Sequence, residues 1–482
     1  MMRVLYVSTE VYPALKTGGL ADVNAALPQA LTGMGVDVRL LLPGFPAFMH
    51  AAEHHGPAVS LGPAFGLGEV SVSRALLNGV PVYLVEAPQF YGRAGTPYGD
   101  AEGRDWPDNH LRFALLGWAA ARFADGSVGG WRPDIVHGHD WHAGLAPAYL
   151  AARGVAGPGS VFTVHNLAFQ GQFPGSVFPA LGLPPDFFGV RGVEFHGMVN
   201  FVKAGLHYAD RITTVSPTYA REIQTAEHGF GLDGLLSSRA GELSGILNGV
   251  DRAKWNPSDD EYIAARFDAV NFAGKAVCKA KLRAELGLSP ESPGPLFGIV
   301  SRITQQKGLD LLLGAMPELI AAGGQLALLG SGDAAIAERF RAAALRHPRQ
   351  LAVRLGYDEA LAHRIIAAAD VIAVPSRFEP CGLTQMYGMT YGALPLVRRV
   401  GGLADTVRDA DAGAIAAGTA TGFVFEEASA SALSRALERV FALWREPATW
   451  SRLLGTAMRQ DFGWTPSARR YVELYRELRP RT

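Results

Sequence analysis

Short runs of apolar and β-branched residues alternate with longer stretches of helical periodicity along most of this 482-residue chain. Such alternation is typical of parallel β-sheets covered by helices, so it predicts an α/β protein with two wound halves. In the first half, the predicted strands are residues 3–8, 36–42, 135–139, 160–165, 211–215 and 243–248. In the second half, they are residues 296–301, 325–329, 351–355, 371–375, 394–397 and 423–425.

One hairpin interrupts the alternation in the first half. Residues 69–77 and 80–86 flank the dipeptide Asn78-Gly79. Asn-Gly between two strand patterns is the strongest short signal for a tight type I′ turn. These two segments are therefore predicted to pair in an antiparallel manner.

A linker between the halves is predicted at Asn248-Gly249-Val250-Asp251 and the polar stretch 255–261. Residues 430–479 continue with helical periodicity, and no strand pattern follows residue 425. We therefore expect this last helical run to brace the two halves.

Composition and charge remove several classes of partner. The chain has 44 basic and 45 acidic residues, for a net charge of -1, so we expect no binding to nucleic acid or to an anionic membrane surface. Cys278 and Cys381 are too few and too far apart for a disulfide framework or a Cys-x-x-Cys site, which favours a reducing cytoplasm. Neither a signal peptide nor a membrane-spanning helix is predicted.

A glycine pair occurs at a predicted helix start in each half. Lys16-Thr17-Gly18-Gly19 follows the first strand, where an ammonium group beside exposed backbone N–H groups suits a phosphate. Gly18-Gly19-Leu20-Ala21-Asp22 recurs as Gly401-Gly402-Leu403-Ala404-Asp405, which suggests that the two halves are related. The alternative is that both pairs only allow tight turns.

Two loops of the second half combine charge with a predicted strand end. Arg302 and Lys307 follow the strand at 296–301, so both cations could bind one diphosphate and offset the charge of a leaving phosphate. Glu379 precedes Cys381-Gly382-Leu383-Thr384 at a helix start. Its carboxylate could accept hydrogen bonds from sugar hydroxyls while the N–H groups of residues 382–384 face an anion. Solvated loops and helix capping are the simpler alternatives.

The segment His137-Gly138-His139-Asp140-Trp141-His142 suggests a metal site by its composition. However, its order matches neither H-E-x-x-H nor H-x-H-x-D-H, so we predict no metal. Asp140 beside Trp141 instead suits the recognition of sugar hydroxyls and stacking on a sugar ring. His165-Asn166, which ends the next strand, is expected to lie beside it.

Two further patterns offer other chemistries. Residues 330–335 fit G-x-G-x-x-A after a strand, with Asp358 and Glu359 further on, as in nicotinamide-binding enzymes. They follow the second strand of their half, which would leave Arg302 and Lys307 without a role. Asp409-Ala410-Asp411 resembles a metal-binding D-x-D, but it follows a helix and is more typical of a solvated turn.

Taken together, the motifs resemble those of bacterial glycogen synthases and plant starch synthases. The resemblance is carried by Lys16-Thr-Gly-Gly-Leu-Ala-Asp-Val, His137-x-His-Asp-Trp-His, Thr163-Val-His-Asn, Ser301-Arg-x-Thr-x-Gln-Lys-Gly and Pro375-Ser-Arg-Phe-Glu-Pro-Cys-Gly-Leu-Thr-Gln. It implies a GT-B fold, in which two Rossmann-like domains face a central cleft. The implied domains are residues 1–250, residues 251–462 and a C-terminal helix, 463–482, that crosses back to the first domain.

The resemblance also implies the reaction and its partners. Glucose is expected to pass from ADP-glucose to the non-reducing end of glycogen or a malto-oligosaccharide, with retention, by closure of the cleft and without a metal or cofactor. The choice between ADP and UDP is left open by these motifs. A nicotinamide-dependent oxidoreductase, a non-catalytic glucan-binding protein and a pyridoxal-dependent phosphorylase are the alternatives.

Residue roles follow from the same resemblance, position by position. Arg302 and Lys307 are expected to bind the diphosphate, and Asp140 and Glu379 the donor glucose. The carbonyl of His165 is expected to face the developing oxocarbenium ion. The remaining predicted substrate-binding residues are Lys16, Gly18, Gly19, Tyr98, Asn166, Asn248, Cys381, Gly382, Leu383 and Thr384.

The sequence departs from the family pattern at two places. Asn24-Ala25 replaces an apolar residue followed by glycine, and Val400 stands where threonine commonly precedes Gly401. The second change removes a possible capping hydroxyl, at an expected cost of about 1 kcal/mol.

Overall fold

The computed structural model describes residues 1–54, 56–124, 126, 128–154 and 157–478. The chain forms two compact units, Met1–Gly249 together with the last helix, and Val250–Gly463. Each unit is built around a largely parallel β-sheet, as the alternation of strand and helix patterns predicts. No helix in the described ranges has both the length and the hydropathy needed to cross a membrane.

The main sheet of the first unit has the strand order β13-β12-β8-β7-β1-β2-β6-β5-β3, and β4 also pairs with β5. Its parallel strands have apolar residues that are almost entirely buried, because helices cover both faces. The strands of this unit are β1 Arg3–Val7, β2 Asp37–Pro43, β3 Glu53–His54, β4 Val59–Pro63, β5 Glu69–Leu77, β6 Val80–Glu86, β7 Ile135–His139, β8 Gly159–Val164, β9 Gln172–Pro174, β10 Glu194–Phe195, β11 Met198–Asn200, β12 Arg211–Thr214 and β13 Leu243–Gly245. The helices are α1 Gly19–Gly33, α2 Pro46–Ala51, α3 Pro88–Tyr91, α4 Asn109–Arg122, α5 Leu145–Ala152, α6 Phe201–Tyr208, α7 Pro217–Glu222 and α8 Asp233–Ser238, with 3-10 turns at Trp141–Ala143, Gly175–Leu181 and Pro185–Phe187.

The predicted hairpin is confirmed at both strand limits. Leu77 pairs with Val80 across the turn. Asn78 and Gly79 both have positive φ, 53° and 75°, as a type I′ turn requires. The hairpin adds antiparallel strands to one edge of the parallel sheet.

A second, small sheet was not predicted. It has the order β10-β11-β9 and lies between residues 172 and 200. Its strands are only two or three residues long. Periodicity cannot reveal strands of that length, because a two-residue repeat needs at least four residues to be visible.

The sheet of the second unit is parallel throughout, with the order β16-β15-β14-β17-β18-β19. Its strands are β14 Leu296–Val300, β15 Gln325–Gly330, β16 Leu351–Leu355, β17 Val371–Val374, β18 Leu394–Arg398 and β19 Phe423–Phe425. Its helices are α9 Ala273–Leu286, α10 Leu309–Gly314, α11 Met316–Ala321, α12 Ala334–Arg346, α13 Glu359–Ala368, α14 Thr384–Thr390, α15 Gly401–Thr406, α16 Ala412–Ala416, α17 Ala430–Trp444 and α18 Pro447–Met458, with a 3-10 turn at Gln305–Lys307.

The polar stretch 255–261, predicted as part of a linker, is packed on the second unit. The ring of Trp255 stacks between His363, at a centroid distance of 3.7 Å, and Tyr387, at 4.0 Å. Asp260 is buried, pairs with Nδ1 of His363 at 2.7 Å and accepts a hydrogen bond from the hydroxyl of Tyr391 at 2.6 Å. Trp255 and Asp260 are therefore part of a packed core, while Ser258, Asp259 and Glu261 are exposed.

The last helix, α19, spans Trp464–Leu478 and packs on the first unit. The hydroxyl of Tyr475 lies 2.7 Å from Nδ1 of His137, and Ser467 Oγ donates to the carbonyl of Leu247 at 2.5 Å. Residues 479–482 of the predicted C-terminal segment lie outside the described residues.

Candidate active site

Two charged loops of the second unit meet where its strand order reverses direction. β14 and β17 are neighbours, and the chain winds away from them on both sides, so the loops that follow them lie together. The guanidinium of Arg377 donates to both carboxylate oxygens of Asp310, at 2.6 and 2.7 Å. The backbone N–H of Arg377 donates to the carbonyl of Gln306 at 2.8 Å. These bonds hold the loop after β17 against the loop after β14.

Lys307 and Glu379 form an ion pair across these loops. Nζ of Lys307 lies 2.6 Å from Oε2 of Glu379, and that oxygen also accepts a hydrogen bond from Ser376 Oγ at 2.9 Å. The side chain of Glu379 is 7% exposed and that of Lys307 is 18% exposed. Two of the predicted catalytic side chains are thus in contact, and the cation stays accessible.

Glycines allow the close approach of backbone segments that this arrangement requires. Gly308, at φ 63°, directly follows Lys307, and a Cβ there would lie 2.0 Å from the carbonyl oxygen of Pro375. A Cβ at Gly401, where φ is 43°, would lie 1.9 Å from the carbonyl oxygen of Glu379. The N–H of Gly402 donates to that same carbonyl at 3.1 Å. The second Gly-Gly copy therefore supports the Glu379 loop.

The other predicted residues of the second unit lie on the same two loops. Arg302 is exposed two residues beyond β14, and Cys381 is buried. Gly382 has φ 70° and precedes the half-buried Leu383 and Thr384, at which α14 begins. The predicted anion-binding N–H groups are thus located at a helix start.

The G-x-G-x-x-A segment has a structural role in the same region. The N–H of Ile303 donates to the carbonyl of Ser331 at 2.7 Å, and a Cβ at Gly332 would lie 2.2 Å from the carbonyl oxygen of Ile303. Asp333 caps α12 by accepting from the N–H groups of Ala335 and Ile336. These glycines therefore accommodate the loop that carries Arg302, and β15 is not a switch-point strand.

The turn at Asp409 and Asp411, predicted to be solvated, also carries structural bonds, and Asp411 is exposed. Asp409 accepts from the N–H of Val424 at 2.8 Å and pairs with Arg439 at 2.7 Å. Asp411 caps α16 by accepting from the N–H of Ala414 at 2.8 Å. Both carboxylates are therefore used in holding local structure.

A buried carboxylate, Glu10, lies just after β1 in the first unit. The strand order of the sheet reverses between β1 and its neighbour β7. Glu10 accepts hydrogen bonds from the N–H and the hydroxyl of Thr17, each at 2.6 Å, and from the hydroxyl of Tyr98. It therefore fixes the Lys16 loop and Tyr98 to the end of the sheet. Sequence reasoning missed Glu10, although its place directly after the first strand was the available signal.

The Lys16 loop ends at the first turn of α1. Nζ of Lys16 lies 3.1 Å from the carboxylate of Asp22. Gly18 is extended, with φ -164°, and a Cβ there would meet no atom within 4 Å. Gly19 is the first residue of the helix. The space next to Gly18 is thus open.

Asp140 has an uncommon conformation and environment. Its φ is 60°, its side chain is buried, and its Oδ1 accepts from the N–H of His165 at 3.2 Å. The pKa of Asp140 is raised to about 7, mainly by burial and also by the charge of Glu10, while the N–H groups of His165 and Asn166 oppose the rise. Positive φ in a non-glycine residue and a perturbed pKa are both common at functional sites.

The histidines around Asp140 bind each other and neighbouring hydroxyls. Nε2 of His137 lies 2.6 Å from Thr163 Oγ1, and Nδ1 of His139 lies 3.0 Å from Nε2 of His165. Burial lowers the pKa of His137, His139 and His142 well below 6.5 and that of His165 to about 3, so the rings are neutral. Within the described residues, no cluster of three or more His, Cys, Asp or Glu side chains could hold a metal ion.

The remaining predicted residues of the first unit occupy different surroundings. The ring of Tyr98 stacks on His142 at a centroid distance of 4.8 Å. Asn166 Oδ1 accepts from the N–H of Ala168 at 3.1 Å, so it shapes its own loop. Asn248 is buried three residues beyond β13.

Comparisons with known proteins cover both units. Residues 3–238 match the family described as the starch synthase catalytic domain, and residues 294–442 match the one described as glycosyl transferases group 1. The chain is 53% identical to a glycogen synthase of Francisella tularensis subsp. novicida over 99% of both chains. It is 52% identical to one of Francisella philomiragia over 99% of this chain and 100% of that relative.

Solved structures are similar as well. The catalytic domain of starch synthase IV from Arabidopsis thaliana, bound to ADP and acarbose, has a TM-score of 0.90 and 34% identity over the whole of both chains. A sucrose-phosphate synthase from Thermosynechococcus elongatus has a TM-score of 0.59 and 20% identity over 99% of each chain, which is a likeness of fold alone.

Proposed function

The chain belongs to the family of bacterial glycogen synthases and plant starch synthases, and from this membership we propose that it transfers glucose from ADP-glucose to the non-reducing end of an α-1,4-glucan, with retention and without a metal. It is a glycosyltransferase with the GT-B fold of two parallel-sheet α/β domains, which confirms the predicted fold class. The observation that carries the proposal is the identity to glycogen synthases along the full length of the chain. The ADP in the starch synthase structure supports ADP as the nucleotide.

The second unit would hold the leaving diphosphate. Lys307 presents an ammonium with three donor hydrogens, of which the contact with Glu379 uses one, so others remain for phosphate oxygens. Arg302, five residues earlier on the same loop, would add a guanidinium. As the glycosidic bond to phosphate breaks, both cations would stabilise the negative charge that develops on the diphosphate.

Glu379 would orient both the donor glucose and Lys307. One oxygen of its carboxylate accepts from Lys307 and Ser376, while its other oxygen makes no hydrogen bond within the described residues and suits a sugar hydroxyl. The N–H groups of residues 382–384 would complete this side of the site at the start of α14.

The first unit would supply the groups around the reacting sugar carbon. Asp140 would bind hydroxyls of the donor glucose, and the carbonyl of His165 would face the positive charge that develops on the sugar ring. Lys16 and the N–H groups at Gly18 and Gly19 would contact the donor, held in place through Glu10. Because each unit contributes groups, we expect neither unit to catalyse transfer alone.

A competition assay tests the proposal. The protein is given ADP-glucose and UDP-glucose separately, each with and without a malto-oligosaccharide primer. We expect ADP release and a longer primer with ADP-glucose, and a much slower reaction with UDP-glucose or without primer. Preference for UDP-glucose would overturn the donor assignment, and nucleotide release without primer elongation would overturn the transferase assignment.

A further inference from the structure

A hydrogen-bonded pair of histidines lies beside the proposed site. Nδ1 of His139, on β7, lies 3.0 Å from Nε2 of His165, which follows β8. His139 is fully buried, whereas His165 is partly exposed. Both rings are neutral, so one ring nitrogen must donate its hydrogen and the other must accept it.

The second nitrogen of His139 decides which ring donates. In the part of the chain that the structure describes, Nε2 of His139 is buried and has no hydrogen-bond partner. If His139 accepted at Nδ1, its hydrogen would sit on Nε2 as a buried donor without an acceptor, which is the rarer and costlier arrangement. His139 therefore carries its hydrogen on Nδ1 and donates it to His165.

A rigid support holds His139 in this orientation. The ring of Tyr6 stacks on the ring of His139 at a centroid distance of 3.9 Å. The hydroxyl of Tyr6 donates to Asn24 Oδ1 at 2.7 Å, and Asn24 Nδ2 donates to Ser8 Oγ at 2.5 Å and to the carbonyl of Glu10 at 2.8 Å. Asn24 is one of the residues at which the sequence departs from the family pattern, and here it ties α1 to the ring that supports His139.

The direction of this bond fixes the chemistry of His165. Because Nε2 of His165 accepts, its single ring hydrogen lies on Nδ1. Nδ1 makes no hydrogen bond within the described residues and is not among the buried unpartnered atoms, so it is open to a ligand. We propose that His139 is a positioning residue, which holds His165 as the Nδ1–H tautomer so that its ring donates to a hydroxyl oxygen of the sugar substrate.

This inference rests on the proposed function for its substrate and on the histidine pair for its geometry. The backbone N–H of His165 also donates to Asp140, so His165 is held from both its main chain and its ring. A ring free to flip or to exchange tautomers would present a donor for only part of the time. Loss of His139 should thus weaken catalysis without removing any group that touches the sugar.

Nuclear magnetic resonance of the full-length protein with ¹⁵N-labelled histidine tests the tautomer directly. Protonated and unprotonated ring nitrogens have well-separated ¹⁵N shifts, and the signals of His139 and His165 are assigned from the spectra of H139N and H165N. We expect His165 to be protonated at Nδ1 and unprotonated at Nε2. A His165 signal with the hydrogen on Nε2 would overturn the inference, whether or not the protein transfers glucose.

Kinetics of three variants test the positioning role. H139L should lower kcat/KM for ADP-glucose by about tenfold, the size expected when one hydrogen bond of the transition state is no longer held in place. H139N, whose side-chain amide can donate from the place of Nδ1, should recover most of that loss. H137L removes the bonds to Tyr475 and Thr163 and a ring that packs 4.0 Å from that of His139, so it measures the effect of packing in the same cluster. It should lose much less kcat/KM than H139L, because His165 keeps its donor.

The NMR spectrum and the kinetics together distinguish failure of the proposed function from failure of the positioning role. If the unchanged protein does not transfer glucose from either nucleotide-glucose, the proposed function fails while the spectrum still decides the tautomer. If it transfers glucose but H139L keeps full kcat/KM, or H139N is no better than H139L, the positioning role fails and the function stands. Equal losses in H137L and H139L would also overturn it, since they would indicate a general packing effect.

Discussion

Nζ of Lys307 lies 2.6 Å from Oε2 of Glu379, although 72 residues separate the two in sequence. The contact exists because β14 and β17 are neighbours in the sheet and each is followed by a loop rather than directly by a long helix. One carboxylate oxygen of Glu379 accepts hydrogen bonds from both Lys307 and Ser376. The ammonium is thereby held in one place, which in the proposed function would lower the cost of organising the site during reaction.

Replacing Lys307 with alanine tests its role toward the leaving diphosphate. K307A should lower kcat by about a hundredfold or more, because a charge-stabilising donor of the transition state is lost. Initial rates of ADP release at saturating ADP-glucose measure this. Addition of EDTA should leave the rate of the unchanged protein as it is, since Lys307 and Arg302 are proposed to do the work of a metal.

The matched control is R399A, which breaks the Arg399–Glu426 pair at 2.5 Å in the same unit. Those side chains are 45% and 68% exposed, so the change should affect neither rate nor stability noticeably. Full activity in K307A, or a loss of activity in EDTA that magnesium restores, would contradict the proposed role.

Replacing Glu10 with glutamine tests how the first unit supports Asp140. The charge of Glu10 raises the pKa of Asp140, so E10Q should lower that pKa and move the acid limb of the kcat/KM profile to lower pH. The limb of the unchanged protein should lie near pH 7, where Asp140 titrates. T17V, which removes one hydrogen bond to Glu10 and keeps its charge, should leave the limb in place. A limb that moves equally in both variants would contradict an electrostatic effect.

Burial of Asp140 also predicts how stability depends on pH. Its folded pKa of about 7 exceeds the usual value of 3.8, so the folded state binds the proton more tightly between these pH values. The contribution of Asp140 to the free energy of unfolding should therefore fall as pH rises through this window, by up to about 1.4 kcal/mol per pH unit, while the buried neutral histidines contribute the opposite slope. D140N should remove that slope, and denaturant unfolding at several pH values measures the difference. Parallel curves for the two proteins would show that Asp140 titrates normally.

Trp255 should be a major contributor to the stability of the second unit. Its ring is 4% exposed and stacks against His363 and Tyr387. W255A should lower the free energy of unfolding by about 3–5 kcal/mol, as loss of a buried large aromatic side chain does. Circular dichroism in urea measures this.

The control is Y357A, at a residue that is 66% exposed, which should change stability by less than about 0.5 kcal/mol. Equal effects of both changes would contradict the packing role.

The parts of the fold that sequence predicted are those with local signals. The strands at Ile135–His139, Leu351–Leu355 and Phe423–Phe425 have the predicted limits, because each begins with apolar residues and has polar or glycine-rich flanks. Trp255 was taken as part of a polar linker because its neighbours are polar. Its burial depends on His363 and Tyr387, more than a hundred residues away, and no local pattern reports such a contact.

In the candidate site, too, some residues are indicated by local sequence signals and others are not. Arg302, Lys307 and Glu379 stand out because charge at a predicted strand end is unusual, and the structure brings Lys307 and Glu379 into contact. The place of Glu10 after the first strand was a signal that it belongs to the site, but its partners Thr17 and Tyr98 are set by tertiary structure. Asn24 could not be assigned a role, because its bond to Tyr6 is also tertiary. The positive φ of Asp140 was equally invisible, since nothing in its residue type requires it.

The stoichiometry of the reaction in a single mixture tests whether the protein transfers glucose from ADP-glucose to a glucan. ADP release and glucan length are followed together while the protein acts on ADP-glucose and a malto-oligosaccharide in EDTA, with proton NMR to identify the new linkage. We expect one ADP for each glucose added, in α-1,4 linkage at the non-reducing end. ADP formed with free glucose, or a β-linked product, would contradict it.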